Sequence, residues 1–183
     1  MKGVIFNVVE EVVTDLWSDD LWDQVIEGAG VTGAYTALGD YPDADLHALV
    51  ASASALSGIE PPDLLRAIGR RALPQLIDRL PDAAAGAGDA ETLLRRVNDI
   101  IHPEVLKLYP DAIPPVFEFV ESPAGLQVTY RSARRLGQLA VGLIEGCGDR
   151  FDQTTTVEAV GGDPERHETV WLVTYDRPGA GAR

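Results

Sequence analysis

Val4, Ile5, Val8, Val9, Val12, Val13 and Leu16 recur at i, i+1, i+4, i+5 spacing, so the chain opens with the apolar stripe of an amphipathic helix. A second, short helix is predicted from Ser18 to Glu27, with Ser18 as N-cap and Gly28 and Gly30 ending it. Tyr41-Pro42-Asp43 is turn chemistry that opens a third helix, reaching about Ser57. Pro61 or Pro62 starts the next, whose buried side is Leu64, Leu65, Ile68, Leu73, Leu76, Ile77 and Leu80; Pro74 is expected to kink or split it. The Ala/Gly run at 83–88 reads as a mobile connector. Asp89 then caps a helix carrying Leu94, Val97, Ile101, Val105 and Leu108. Pro103 lacks a backbone donor and biases His102 away from helical geometry, so this helix should bend or end near the histidine.

After Pro115 the period changes. Val116 to Glu121 and Leu126 to Ser132 read as two strands around a Ser-Pro-Ala-Gly turn, Arg135 to Phe151 as one more helix. Thr154 to Val160 and Glu168 to Tyr175 form a hairpin across Gly161 to Arg166, and Pro178 to Arg183 are expected to fray. Helices first, then strand, strand, helix, strand, strand, predicts an α+β fold with a four-stranded antiparallel sheet packed against helices. The 183 residues suffice to bury a substantial core and are read as one domain.

The net charge of −14 changes the list of partners. Such a surface cannot neutralise a run of phosphates and is repelled by an anionic membrane, so neither nucleic acid nor membrane is expected as a partner. One cysteine, Cys147, excludes an internal disulfide, a thiolate zinc cluster and an iron–sulfur cluster. It sits in an apolar helical stretch and reads as a buried structural thiol. The N-terminal apolar run is interrupted by Asn7, Glu10 and Glu11, which fits neither a signal peptide nor a membrane span; the protein is expected in the cytoplasm.

Candidate chemistry concentrates in one region. Asn98-Asp-Ile-Ile-His102-Pro-Glu-Val leads to Tyr109-Pro110 and Pro114-Pro115, and Tyr130-Arg-Ser132-Ala-Arg134 follows. His102 is a potential metal ligand at the margin of an apolar helical stripe. A lone histidine in that place is more often satisfied by a backbone carbonyl. Tyr130, Ser132 and Arg134 alternate on a strand that runs into a helix, so two hydroxyls and a guanidinium can face one way, as a carboxylate clamp requires. His47 and His167 are read as facing solvent, without a role.

Taken together, these motifs resemble the heme nitric oxide/oxygen binding (H-NOX) family over nearly the whole chain. The resemblance implies heme b (iron protoporphyrin IX), with His102 as proximal iron ligand and Tyr130, Ser132 and Arg134 on the propionates. It also implies that Pro115 presses on the porphyrin, that Ile5 and Leu143 pack against the heme, and that the heme lies between an N-terminal distal subdomain (1 to about 60) and a proximal subdomain (about 61 to 183). Oxygen-binding members carry a distal tyrosine where this chain has Leu139, and their supporting polar positions fall at Val9 and Ala72. Oxygen on iron becomes anionic and needs a hydrogen-bond donor, which an apolar pocket withholds. The expectation is therefore a sensor of nitric oxide that also binds carbon monoxide. Its output would pass in trans to a partner such as a histidine kinase or a cyclic-di-GMP enzyme.

Enzymatic readings fare worse. There is no Gly-x-Ser-x-Gly and no Walker-type loop, and a Ser132/His102/Asp99 triad would place the base among prolines and apolar residues. A non-enzyme is expected. The alternative is an interaction module that keeps the fold without heme, with His102 as a core residue.

Overall fold

The computed structural model describes residues 1–176, so the fraying expected of Pro178 to Arg183 lies outside the described residues. Four helices come first: α1 (Gly3–Leu16), α2 (Asp19–Ala29), α3 (Asp43–Ser57) and α4 (Pro61–Arg79). The predicted caps form. Ser18 Oγ accepts from the Leu21 amide at 3.2 Å, and Gly30 and Gly58 close α2 and α3 at φ of 67° and 73°, where a side chain would be strained. The stripe of α1 is buried through Phe6, Val8, Val9, Val12 and Val13 against Leu46, Leu49, Leu64 and Ile68. Each such side chain is worth about 1.5–3 kcal/mol of burial, which makes this cluster the main reason the helices associate.

Helix α4 runs on through Pro74, where a kink or split was expected. Pro74 has no amide to give the Arg70 carbonyl, and that carbonyl instead faces Gly146 of a later helix, so closely that a Cβ there would stand 2.9 Å away. The Ala/Gly run also departs from expectation. Part of it forms α5 (Pro81–Ala84), and Ala84 is buried against Leu93 and Cys147. Small side chains let a main chain approach a core that larger ones would exclude.

α6 (Ala90–Arg96) is capped by Asp89 Oδ1, which accepts from the Thr92 amide at 2.7 Å. It passes into a π turn (Val97–Ile101) and then α7 (His102–Leu108), so the chain continues as helix past Pro103. The π turn falls in the residues just before the histidine, where the helix was expected to bend or end.

The sheet has strand order β1 (Val116–Ser122), β2 (Gly125–Arg131), β4 (Glu168–Asp176), β3 (Thr154–Asp163), all neighbours antiparallel. Strand β3 runs three residues further than predicted, through a bulge at Ala159/Gly161 and into a 3₁₀ turn at Pro164–Arg166. One sheet face presents Phe117, Leu126, Val128, Tyr130, Trp171 and Val173 to α8 (Gly137–Arg150) through Ala140, Val141 and Ile144. The other carries a charge ladder, Arg131 reaching Glu118 and Glu168 at 2.6 Å each.

Helices α4 and α8 cross with backbone nearly on backbone. A Cβ at Gly69 would lie 2.1 Å from the Leu139 carbonyl oxygen, and one at Gly142 would lie 2.0 Å from that of Arg66. Two forked ion pairs, Arg66 to Glu145 and Arg70 to Asp149, flank the crossing. Glu145 is the buried charge, and Arg66 meets both of its oxygens, so its burial is compensated.

Candidate heme-binding site

His102 follows the π turn directly. Its imidazole is half-buried, and burial alone pushes its pKa down to about 4, with no hydrogen bond or charge contributing. The ring is neutral at pH 7, and among the described residues nothing satisfies it. The backbone-carbonyl partner that usually explains a lone core histidine is missing. Its aromatic neighbour is Phe117, with ring centroids 6.0 Å apart.

Phe117 also meets Tyr130 edge-on at 5.3 Å, and Tyr130 leans on Trp171 at 5.2 Å. The fold thus brings His102 and Tyr130 to one aromatic cluster from helix and strand. Strand β2 ends at Arg131, one residue short of expectation, so Ser132 and Arg134 belong to the connection to α8 and not to a continued strand. They stay together nonetheless. Ser132 Oγ accepts from the Arg134 amide at 3.3 Å. Burial raises the Tyr130 phenol pKa, while a hydrogen bond with Ser132 and the charge of Arg134 oppose the rise.

Arg134 Nε donates to Asp43 Oδ1 at 3.3 Å, and its Nη1 donates to the carbonyl of Ile113. Among the described residues Nη2 has no partner. Burial raises the Asp43 carboxyl pKa, but the first residue's ammonium at 3.0 Å and the Arg134 charge outweigh it and hold the carboxyl below its usual range. Ile113 immediately precedes Pro114-Pro115, so Arg134 ties the half-buried Pro115 into the same neighbourhood. His47 is exposed as expected, although its Nε2 lies 3.2 Å from the Arg134 carbonyl oxygen, close enough to donate. His167 is exposed in a left-handed turn.

The remaining candidates lie on the helical side. Val9 and Ala72 are buried in the N-terminal cluster, and Leu139 and Leu143 pack against it from α8. Ile5 is half-buried on α1 and outside that cluster. Cys147 is buried, and burial pushes its thiol up to about 12, which keeps it protonated. Two open polar clefts, beside Arg70 and Asp149 and beside Glu121 and Tyr175, involve none of these candidates.

Among the described residues no group of three or more His, Cys, Asp or Glu side chains converges to hold a bare ion. A metal at His102 must therefore bring most of its own ligands, as a porphyrin does. The donor set fits heme in that respect: one neutral, unpartnered imidazole, an aromatic and apolar surround, and a guanidinium with a donor to spare beside two hydroxyls. As contributors to the site, Asp43, Phe117 and the glycine crossing escaped the sequence reading. Only the crossing left a trace, in Gly142-Leu-Ile-Glu-Gly146. Asp43 pairs with a residue 91 positions away, which no local pattern signals.

Comparison with known proteins gives the family and the fold. The family model described as Haem-NO-binding (HNOB) matches residues 2–159. The fold is similar to that of the Fe(II) unliganded H-NOX protein from K. algicida, with TM-score 0.84, 26% identity and 97% of each chain covered. It is also similar to an H-NOX protein from S. oneidensis in the Fe(II)NO state, with TM-score 0.87, 24% identity, 97% of this chain and 100% of that one. An oxygen-binding H-NOX domain related to soluble guanylate cyclases gives TM-score 0.82 at 22% identity, over 100% of this chain and 99% of that one. No curated protein sequence matches.

Proposed function

Because the chain belongs to the haem-NO-binding family, whose H-NOX domains are heme-based gas sensors and not catalysts, we propose that it senses nitric oxide through heme b and signals to a separate protein in the cytoplasm. The observation that carries this reading is His102, a neutral imidazole without a partner beside Phe117. Heme, when bound, supplies a ferrous iron that takes diatomic gases on a flat apolar ring with two carboxylates.

The chain's own residues do the rest. His102 holds the iron through one ring nitrogen. Arg134, with Tyr130 and Ser132, binds the carboxylates; a fixed guanidinium and two hydroxyls offset the cost of drawing anions out of water. Pro115 presses on the ring from the segment that Arg134 grips through Ile113, while Ile5 and Leu143 pack against it. Leu139, Val9 and Ala72 present no donor on the gas-binding side, so nitric oxide and carbon monoxide are accepted and oxygen is not retained. The heme then lies between a distal subdomain, residues 1 to about 60, and a proximal one, about 61 to 183.

Transmission follows from how His102 is mounted. Between Val97 and Leu108 no residue is fully buried, although Val97 packs against the sheet cluster and His102 is half-buried, so this stretch can shift against helices α1 to α4 at lower cost than a core helix when the load on His102 changes. The receiver is a partner of the histidine kinase or cyclic-di-GMP enzyme type. No described helix is long and apolar enough to cross a membrane, and the charge of −14 disfavours nucleic acid as partner.

The test is an absorption spectrum of the reduced protein, alone and then with nitric oxide, carbon monoxide and air. An intense Soret band that moves with the first two gases, and no stable complex in air, is the expected result. A colourless protein that takes up no added heme would overturn the reading. A long-lived oxygen complex would overturn the choice of gas.

A further inference from the structure

Between Val97 and Leu108 the side chains are half-buried or exposed, with Val97 packed against the sheet cluster, so apolar packing is one influence on the direction in which His102 points. The π turn is another. The His102 amide donates to the Val97 carbonyl, five residues back, where an α-helix would use Asn98. The extra residue rotates all that follows about the helix axis, so the bearing of the imidazole depends on this turn persisting. A π turn is rarely populated unless its surroundings hold it, and here one side chain reaches out to do so.

Asn98 Nδ2 donates to the main-chain carbonyl of Phe117 at 2.6 Å. Phe117 lies on β1, an edge strand of the sheet, and its ring is the aromatic neighbour of the His102 imidazole. One residue of the sheet thus receives both the start of the π turn and the histidine that ends it. We infer that Asn98 is a positioning residue: its amide locks the π turn to the β1 edge, and so sets the angle and strength with which His102 holds the iron. The inference rests on the heme reading of the site. It assigns the asparagine a role that a leucine cannot perform, having no donor, and that an aspartate would invert by setting an anion against a carbonyl oxygen.

The experiment uses the whole chain with Asn98→Leu and Asn98→Asp. Asn98 is exposed, so neither change opens a cavity. Resonance Raman of the ferrous, heme-loaded proteins reads the iron–histidine stretch. It should move to lower frequency in Asn98→Leu and further in Asn98→Asp, with heme uptake still one per chain. In the heme-free proteins, amide exchange across residues 97–102 should quicken about fivefold in Asn98→Leu, the loss of one ordinary hydrogen bond. Stretch frequencies equal to the parent's in both variants would overturn the proposal, whether or not stability falls, because a merely structural asparagine lowers stability without touching the iron bond. A parent protein that takes up no heme overturns the gas-sensor reading and this proposal together. A heme-loaded parent with unmoved variants overturns this proposal alone.

Discussion

The crossing of α4 with α8 and the helix that carries His102 are built on opposite terms. At the crossing, Gly69 and Gly142 let carbonyl oxygens of Leu139 and Arg66 come where any Cβ would clash, and two forked ion pairs close the sides. From Val97 to Leu108, by contrast, no residue is fully buried, and the described ties to the sheet are the Asn98 bond to the Phe117 carbonyl, the His102–Phe117 ring contact and the packing of Val97 against the sheet cluster. A tightly packed element resists small displacements, whereas a segment with few buried contacts opens or shifts at low cost. The wall bearing Leu139 and Leu143 is thus the rigid side, and the histidine is on the compliant one. On the proposed function that division is useful: the fixed wall would select the ligand and the looser helix would report it.

Gly142→Ala should break the comparison most severely. The new methyl would stand 2.0 Å from the Arg66 carbonyl, backbone that cannot step aside, so a loss of about 3 kcal/mol or more is expected by urea denaturation. A loss below about 1 kcal/mol would show that the crossing is looser than described.

Arg134→Ala comes next. Losing a hydrogen bond to a charged group costs about 1.5–3 kcal/mol, so transfer of heme to an acceptor protein should quicken roughly 10- to 100-fold. Smaller effects of the same sign are expected for Tyr130→Phe and Ser132→Ala. Transfer as slow as in the parent would remove the clamp role.

Leu139→Tyr tests the rigid wall as a filter. A hydroxyl added there should raise oxygen affinity several-fold, an ordinary hydrogen bond being worth about 1 kcal/mol. An oxygen affinity that does not move would place Leu139 on the wrong side of its helix.

The smallest effect concerns acid and the compliant side. His102 titrates near 4 in the fold and near 6.5 unfolded, so between those values the unfolded chain binds more protons. The stability that its burial contributes is complete above pH 6.5 and lost as pH falls toward 4. Heme-free His102→Gly should lack this loss, so its stability should vary less between pH 6.5 and pH 4 than the parent's. Parallel pH–stability curves for parent and variant would contradict the neutral-imidazole assignment.

Much of this was legible in one dimension, because it depends on neighbours in sequence. Caps at Ser18 and Asp89, the α1 stripe and the β1–β2 hairpin announce their structure through spacing, which reflects the local geometry of helix and strand. At Pro74 the split that the sequence allowed does not occur, since α4 is continuous through it and packs closely against Gly146 of α8. The 83–88 run misled because small residues signal mobility and close packing alike, and only the presence of Leu93 and Cys147 beside Ala84 decides between them.

By itself, then, the sequence determined the order of elements, the acidic surface and the chemical kinds available: one candidate metal ligand, one cation with two hydroxyls, and apolar residues at Val9, Ala72 and Leu139. Tertiary structure decided their relations. It set His102 against Phe117 with no hydrogen-bond partner among the described residues, drew Arg134 onto Asp43 and Ile113, and gave the bend or end expected near His102 the form of a π turn from which Asn98 reaches the Phe117 carbonyl. The physical reason is range. Caps, stripes and turns depend on atoms a few residues apart, whereas desolvation, charge pairing and backbone approach depend on whatever the folded chain brings near.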